Sequence, residues 1–192
     1  MISKDVESYF YIRKHKLKNS TAYLAGPIQY VADAGVMWRE NVIEYLHKMG
    51  IKVFNPINKP KPFVSEIKEE GKKVQQFIEN NDFYAAHEFV KQDIVHVDLR
   101  MVDLSDFLIV YINPNFHTCG TYHELFHAWE QKKPVLVFIE GGRKKVPAWL
   151  LGIIKPKYIF NNITETMKYI DKLDKGEEPL DSKWVLFDEE AN

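Results

Sequence analysis

Two short apolar runs, separated by one loop and one helix-length stretch, leave this chain very few folds. Residues 107–112 read FLIVYI and residues 135–139 read VLVFI. Each run is continuous in aliphatic, β-branched and aromatic side chains and is of strand length, which predicts strands covered on both faces. Between them Asn113, Pro114 and Asn115 break the first strand, and a helix is predicted from Gly120 to about Lys133. Two such strands joined through a helix form a parallel βαβ unit, and open parallel sheets take their ligands at the carboxyl ends of the strands. Chemistry is therefore expected in residues 113–124, with Glu124 at its centre.

The rest of the chain repeats this rhythm. TAYLA at 21–25 reads as the first central strand, stopped by Gly26 and Pro27 and followed by an irregular loop to Gly35. A helix then carries Val36, Val42, Ile43 and Leu46 at helical spacing and ends at Gly50, a residue suited to the left-handed position after a helix. IKVF at 51–54 is the next strand. KYIF at 157–160 reads as the last strand and residues 164–173 as a closing helix, with a short helix at 147–154 before them. The fold class is α/β with a mostly parallel, five-stranded sheet and helices on both faces.

Two segments break the pattern. KPKP at 59–62 reads as a stiff linker into a charged helix at 66–80, so 57–92 is read as a helical insertion, either a lid or a solvated excursion. From Phe83 a helical spacing of Phe89, Ile94, Val97, Met101 and Leu104 predicts one helix that delivers Asp98 toward its carboxyl end. Residues 1–20 read as an arm laid on the surface or on a partner subunit, 21–173 as one α/β domain, and 174–192 as a polar tail. Four apolar residues of that tail, 184–187, predict docking.

The chain has 192 residues, 45% hydrophobic and 28% charged, with a formal net charge of −1. That balance argues against a general nucleic-acid binder, whose footprint is basic, though not against a single nucleotide as ligand. One cysteine, Cys119, excludes an internal disulfide and fits a reducing cytoplasm. No signal peptide or membrane span is expected.

The sharpest local pattern is HELFH at 123–127, a match to H-E-x-x-H. On a helix His123 and His127 share one face and could bind zinc, with Glu124 polarising its water. Catalytic zinc needs a third protein ligand, however, and Lys133 stands where the extended pattern places a third histidine. Glu140 lies at a strand end. Histidines that bind nothing are the plainer alternative, and no metal or organic cofactor is expected.

A second pattern links distant parts of the chain. Asp98, Asp106, Thr118, Gly120 and Glu124 stand as D-x7-D, then x11-T-x-G-x3-E, with Tyr23, Leu24, Ala25, Gly26 and Pro27 on the first strand. Over about residues 20–140 this resembles the nucleoside 2-deoxyribosyltransferase family, including its phage-type and nucleotide N-glycosidase relatives. The resemblance implies a Rossmann-like or flavodoxin-like fold and a covalent glycosyl transfer. Glu124 would attack C1′ of a deoxyribosyl group, Asp98 would protonate the departing base, and Tyr23 would hold the nucleophile by a hydrogen bond. A carboxylate suits an oxocarbenium-like transition state, and a position in the first turn of a helix would favour its ionised form.

Asp106 is expected to cap the strand start. Gly26, Pro27, Gln29, Arg39, Asn113, Thr118, Gly120 and Thr121 are the substrate-binding candidates, although an exposed helix arginine is the plainer reading of Arg39. Thr118 stands where the family carries aspartate in members acting on free nucleosides and a hydroxyl in members acting on 5′-monophosphates. A hydroxyl can donate to a phosphate that a carboxylate would repel. Gln29, where several nucleotide-specific relatives carry arginine, points the other way. The resemblance also implies a homo-oligomer with sites completed across subunits. A non-catalytic nucleotide sensor is the remaining alternative.

Overall fold

The computed structural model describes residues 15–28, 31–59 and 67–184. Five strands, β1 (Thr21–Ala25), β2 (Lys52–Phe54), β3 (Phe107–Ile112), β4 (Val135–Ile139) and β5 (Ile159–Phe160), form one sheet in the order β2-β1-β3-β4-β5. Every pairing is parallel. The chain winds outward from β1 to β2 and then returns to lay β3 on the other side of β1, so the winding direction reverses between β1 and β3. That reversal opens a crevice at their carboxyl ends, where a doubly wound sheet has room for a ligand.

The apolar runs form the strands they predict. All of β4 and all of β3 except Tyr111 are buried, because helices cover both faces. Helix α1 (Val36–Lys48) follows β1 and ends at Met49 and Gly50, whose φ of 75° is the left-handed conformation expected of it. Asp106 sits where strand capping requires: its Oδ2 accepts the Thr21 amide at 2.7 Å and ties the starts of β1 and β3 together.

The segment after β2 holds α2 (Ile67–Glu79) and α3 (Phe83–Phe89). The single helix expected from Phe83 is instead α3, a π-helical segment at Val90–Val95, and α4 (His96–Leu104). This wider turn rephases the chain, and it places Asp98 in the first turn of α4 rather than near a helix end. Helices α5 (Cys119–Glu130), α6 (Ala148–Ile153) and α7 (Ile163–Asp174) complete the layers. At the last strand, Lys157 and Tyr158 belong to a 3-10 turn, which leaves only two residues for β5.

Both ends of the described chain pack onto this domain. Leu17 is buried, and its amide donates to Asp174 Oδ1 at 2.9 Å, while His15 pairs with the same carboxylate. Residues 1–14 of the expected arm lie outside the described residues. In the tail, Asp181 accepts from Tyr158 Oη at 2.6 Å and from Lys155 Nζ at 2.9 Å. Trp184 is fully buried with its ring 5.4 Å from that of Phe107, and the rest of its apolar cluster, 185–187, lies outside the described residues. Trp184→Ala should therefore cost about 3–5 kcal/mol, the range for a fully buried large aromatic. Urea unfolding of the two proteins measures it, and a loss below about 1 kcal/mol would mean that the indole is not a core residue.

Candidate active site

Alternation along β1 points Tyr23 at α5, where its phenol donates to Glu124 Oε1 at 2.8 Å. Both side chains are buried, Tyr23 completely and Glu124 to 8% exposure. Helix α5 starts at Cys119 behind Thr118, so Glu124 lies in the second turn, and the first turn contains no acidic residue. The expected ionising effect of the first helical turn is absent as a result. Burial dominates instead: it pushes the Glu124 carboxyl up to about 8, with the negative charge of Asp98 adding to the rise. The Tyr23 hydrogen bond, Arg39 and Lys59 oppose it.

Asp98 approaches from α4. Burial raises it to about 6, against the pull of the Lys59 ammonium. Its Oδ1 is buried with no hydrogen-bond partner, and Lys59 Nζ stands 3.5 Å away. With the Asp98 charge raising the proton affinity of Glu124, the two carboxyl groups hold one proton between them over a range of pH, and their titration belongs to the pair.

Lys59 and Glu70 were not visible as site residues in the sequence. Lys59, read there as the start of a linker, is 4% exposed, and Glu70 of α2 is 5% exposed. The ammonium donates to both Glu70 oxygens, at 3.2 and 3.3 Å, and to the Asp93 carbonyl of the π segment at 2.9 Å. The segment after β2 is thus no mere solvated excursion. The available signal was position: Lys59 follows Asn55 and Pro56 just past the carboxyl end of a parallel strand.

Arg39 is completely buried, which corrects the reading of it as an exposed helix residue. Its guanidinium donates to the carbonyls of Gly26 and Gly35, each at 2.9 Å, and more distantly to those of Leu24 and Pro27. These bonds fix the loop after β1 and occupy the donors that a substrate would need. Gly26 is required by close approach, since a Cβ there would lie 2.9 Å from the Trp38 ring and 3.1 Å from Tyr111 Cβ. Pro27 is buried beside it, and Gln29 lies outside the described residues.

At the other side of the crevice, Asn113 Oδ1 accepts the Asn115 amide at 3.0 Å and shapes the loop after β3. Thr118 stands at the helix start with its Oγ1 buried and unpartnered. Thr121 is buried, whereas Gly120 faces open space. On the α1 side of β3 a separate cleft of about 670 Å³ is lined by Trp38, Tyr111, Phe138 and Glu140 among others, and neither Glu124 nor Asp98 reaches it.

The two histidines of the H-E-x-x-H match do not converge with Glu124. His123 is exposed, and His127 Nε2 is paired with Asp103 at 2.7 Å. Among the described residues no group of three or more His, Cys, Asp or Glu side chains could hold a metal ion.

A family model for nucleoside 2-deoxyribosyltransferases matches residues 22–148, a span that includes Tyr23, Lys59, Asp98, Thr118 and Glu124. No curated protein matches the chain in sequence. Among solved structures the chain is similar to a 2-deoxyribosyltransferase from the psychrotolerant bacterium Bacillus psychrosaccharolyticus. The identity is 18% and the TM-score 0.52, over 78% of this chain and 92% of that one, which shows a shared fold. It is also similar to a CMP N-glycosidase from Clostridium botulinum, with 14% identity and a TM-score of 0.44 over 80% and 99% of the two chains. A conserved protein from Enterococcus faecalis gives 16% and 0.42 over 88% and 95%.

The proton affinity of Glu124 has a consequence for stability. Folded Glu124 keeps its proton to about pH 8, while an unfolded glutamate releases it near its ordinary value of 4.5. The folded state binds more protons between these values, so the contribution is fully present below about 4.5 and is lost as pH rises through about 8. Glu124→Gln should match wild type in urea unfolding at pH 5 and become progressively more stable than wild type toward pH 9. A constant difference across that range would show that Glu124 titrates normally.

Proposed function

Because the chain belongs to the nucleoside 2-deoxyribosyltransferase family, we propose that it breaks the N-glycosidic bond of a 2′-deoxynucleoside or its 5′-monophosphate, with Glu124 as nucleophile, Asp98 as proton donor and Tyr23 as orienter. The observation that carries this reading is the buried cluster in which Tyr23 donates to Glu124 at 2.8 Å beside the charge of Asp98.

In the first half-reaction a Glu124 oxygen bonds to C1′ as the bond from C1′ to the base breaks. The bonding pair passes to the base nitrogen, and Asp98 supplies the proton that neutralises it. The products are a glycosyl ester on Glu124, a free base and an Asp98 carboxylate. In the second half-reaction water or another base attacks C1′, Asp98 takes a proton back, and Glu124 is released. The chemistry needs one proton on the pair, held by Asp98 at the moment of attack. Tyr23 favours that arrangement by donating to the ionised form of Glu124, and positive charge developing on the sugar favours it further.

The unpartnered Thr118 hydroxyl at the start of α5 supports a 5′-monophosphate. It is a free donor beside backbone N–H groups that a phosphate could also use. Arg39, engaged with four backbone carbonyls, acts on the loop rather than on the substrate in this reading. A homo-oligomer in the cytoplasm completes the proposal, and Trp149 and Leu151, exposed on α6, offer an apolar face for contact between copies.

Incubation with deoxynucleosides and their monophosphates, with and without a second free base, followed by chromatography, tests the reading. Released or exchanged base is expected, unaffected by chelators; no turnover across the panel would overturn it. Glu124→Ala should abolish base release, and Asp98→Asn should lower kcat about 10²- to 10⁴-fold, the usual worth of a general acid. Thr118→Asp should shift preference from monophosphate to nucleoside if the hydroxyl binds phosphate. The pH profile of kcat/KM should be bell-shaped, with limbs near 6 and 8 where the pair gains its second proton and loses its last.

A further inference from the structure

We infer that Lys59 is a positioning residue for this reaction, clamping Asp98 from the segment after β2 and supplying the positive charge against which Asp98 gives up its proton. The inference rests on the proposed role of Asp98 and extends it to two residues, Lys59 and Glu70, that neither the sequence pattern nor the shared fold assigns.

Burying an ammonium is costly unless every donor is matched, and Lys59 is almost completely buried. Its partners come from three separate elements: both carboxylate oxygens of Glu70 on α2, the Asp93 carbonyl in the π segment, and Asp98 Oδ1 on α4. A pair that served only to pin α2 would be complete with Glu70. Here the ammonium also stands 3.5 Å from Asp98 Oδ1, a buried oxygen that has no hydrogen-bond partner. The π segment, which ends immediately before α4, brings the Asp93 carbonyl and Asp98 to the same cation. Single π-helical turns of this kind frequently mark functional positions.

The groups facing Asp98 can be named element by element. Tyr23 comes from β1, Arg39 from α1, Lys59 from the loop after β2, Glu70 from α2 and Glu124 from α5. Lys59 exerts the largest favourable charge effect on Asp98, and Glu70 acts against it. When Asp98 protonates the leaving base it becomes an anion in a buried site, and the adjacent ammonium stabilises that anion. Without Lys59 only the more weakly acting Arg39 would answer the charge of Asp98, and the Glu70 carboxylate would oppose proton release.

The test uses three variants of the full chain: Lys59→Met, Glu70→Gln and the double variant. Lys59→Met removes a positive charge, so both limbs of the pH profile should move up, by about one to two units for a charge this close, with kcat falling and KM little changed. Glu70→Gln leaves the ammonium uncompensated and should move both limbs down. The double variant removes the Glu70 carboxylate together with the ammonium, so Glu70 is not left buried and unpaired and the variant covers the case in which Lys59→Met fails to fold; its limbs should lie above those of Glu70→Gln. The carboxyl ¹³C shift of Asp98, assigned with Asp98→Asn, titrates the same group without turnover and should follow the same order. Opposite displacement by the two single variants supports the clamp. Limbs and carboxyl titration that coincide with wild type in the folded variants would overturn it, even with catalysis intact. Loss of turnover in the wild type with the ordered carboxyl titrations preserved would instead overturn the proposed reaction and leave the clamp standing.

Discussion

Two carboxyl groups in a space that water scarcely enters set the terms for the rest of this molecule. Asp98 and Glu124 each resist ionisation because burial removes the solvent that would stabilise the charge, and a neighbouring carboxylate adds to that resistance, Asp98 for Glu124 and Glu70 for Asp98. A site of this kind persists only if neighbouring groups answer the charge. Tyr23 answers it with a hydrogen bond to Glu124, and Lys59 answers it with an ammonium beside Asp98. The phenol is held by the central strand and the ammonium by the segment after β2, so the pair is assembled from parts of the chain that meet only in the folded state.

The sheet explains why they meet. With β1 flanked by β2 and β3, the reversal of winding direction brings the loop after β1, the loop after β2 and the start of α5 to one edge. The loop after β1 is short of regular structure, and Arg39 compensates by gathering its carbonyls from inside the domain. This is scaffolding by a charged group: a buried guanidinium holds a backbone path that no repeating hydrogen-bond ladder could hold. Gly26 completes the arrangement by letting Trp38 and Tyr111 close over the chain. The rigidity of the strand side contrasts with Thr118, whose hydroxyl stays unpartnered at the opposite wall and so remains available to a ligand.

Much of this was legible from the residues. The runs at 107–112 and 135–139 form strands with those bounds, because a continuous apolar run of strand length has few other ways to leave water. The spacing of Asp98, Asp106 and Glu124 from the first strand pointed to the family, and the bond between Tyr23 and Glu124 is present as that resemblance implied. Asp106 proved to be the strand cap it was read as. The reading failed where a local rule met a tertiary demand. Arg39 sits on an amphipathic helix whose exposed face is the ordinary place for a guanidinium, yet the loop's carbonyls draw it inside. The helical period from Phe83 to Leu104 is continuous in sequence, but a π turn interrupts it and changes where Asp98 points.

The sequence by itself determined the parallel sheet, the strand ends at which chemistry could occur, and the residue types able to perform it, because strand burial and turn chemistry are local properties of the chain. The tertiary structure alone decided the protonation of those residues and the company they keep. The sequence placed Glu124 in a first helical turn that would favour its ionised form, whereas the helix begins at Cys119, and desolvation by the surrounding core and the charge of Asp98 favour the protonated form instead. Lys59 joins the site for the same reason. The field at a buried carboxylate depends on every charge within a few ångströms, and those neighbours come from strands and helices far apart in the chain.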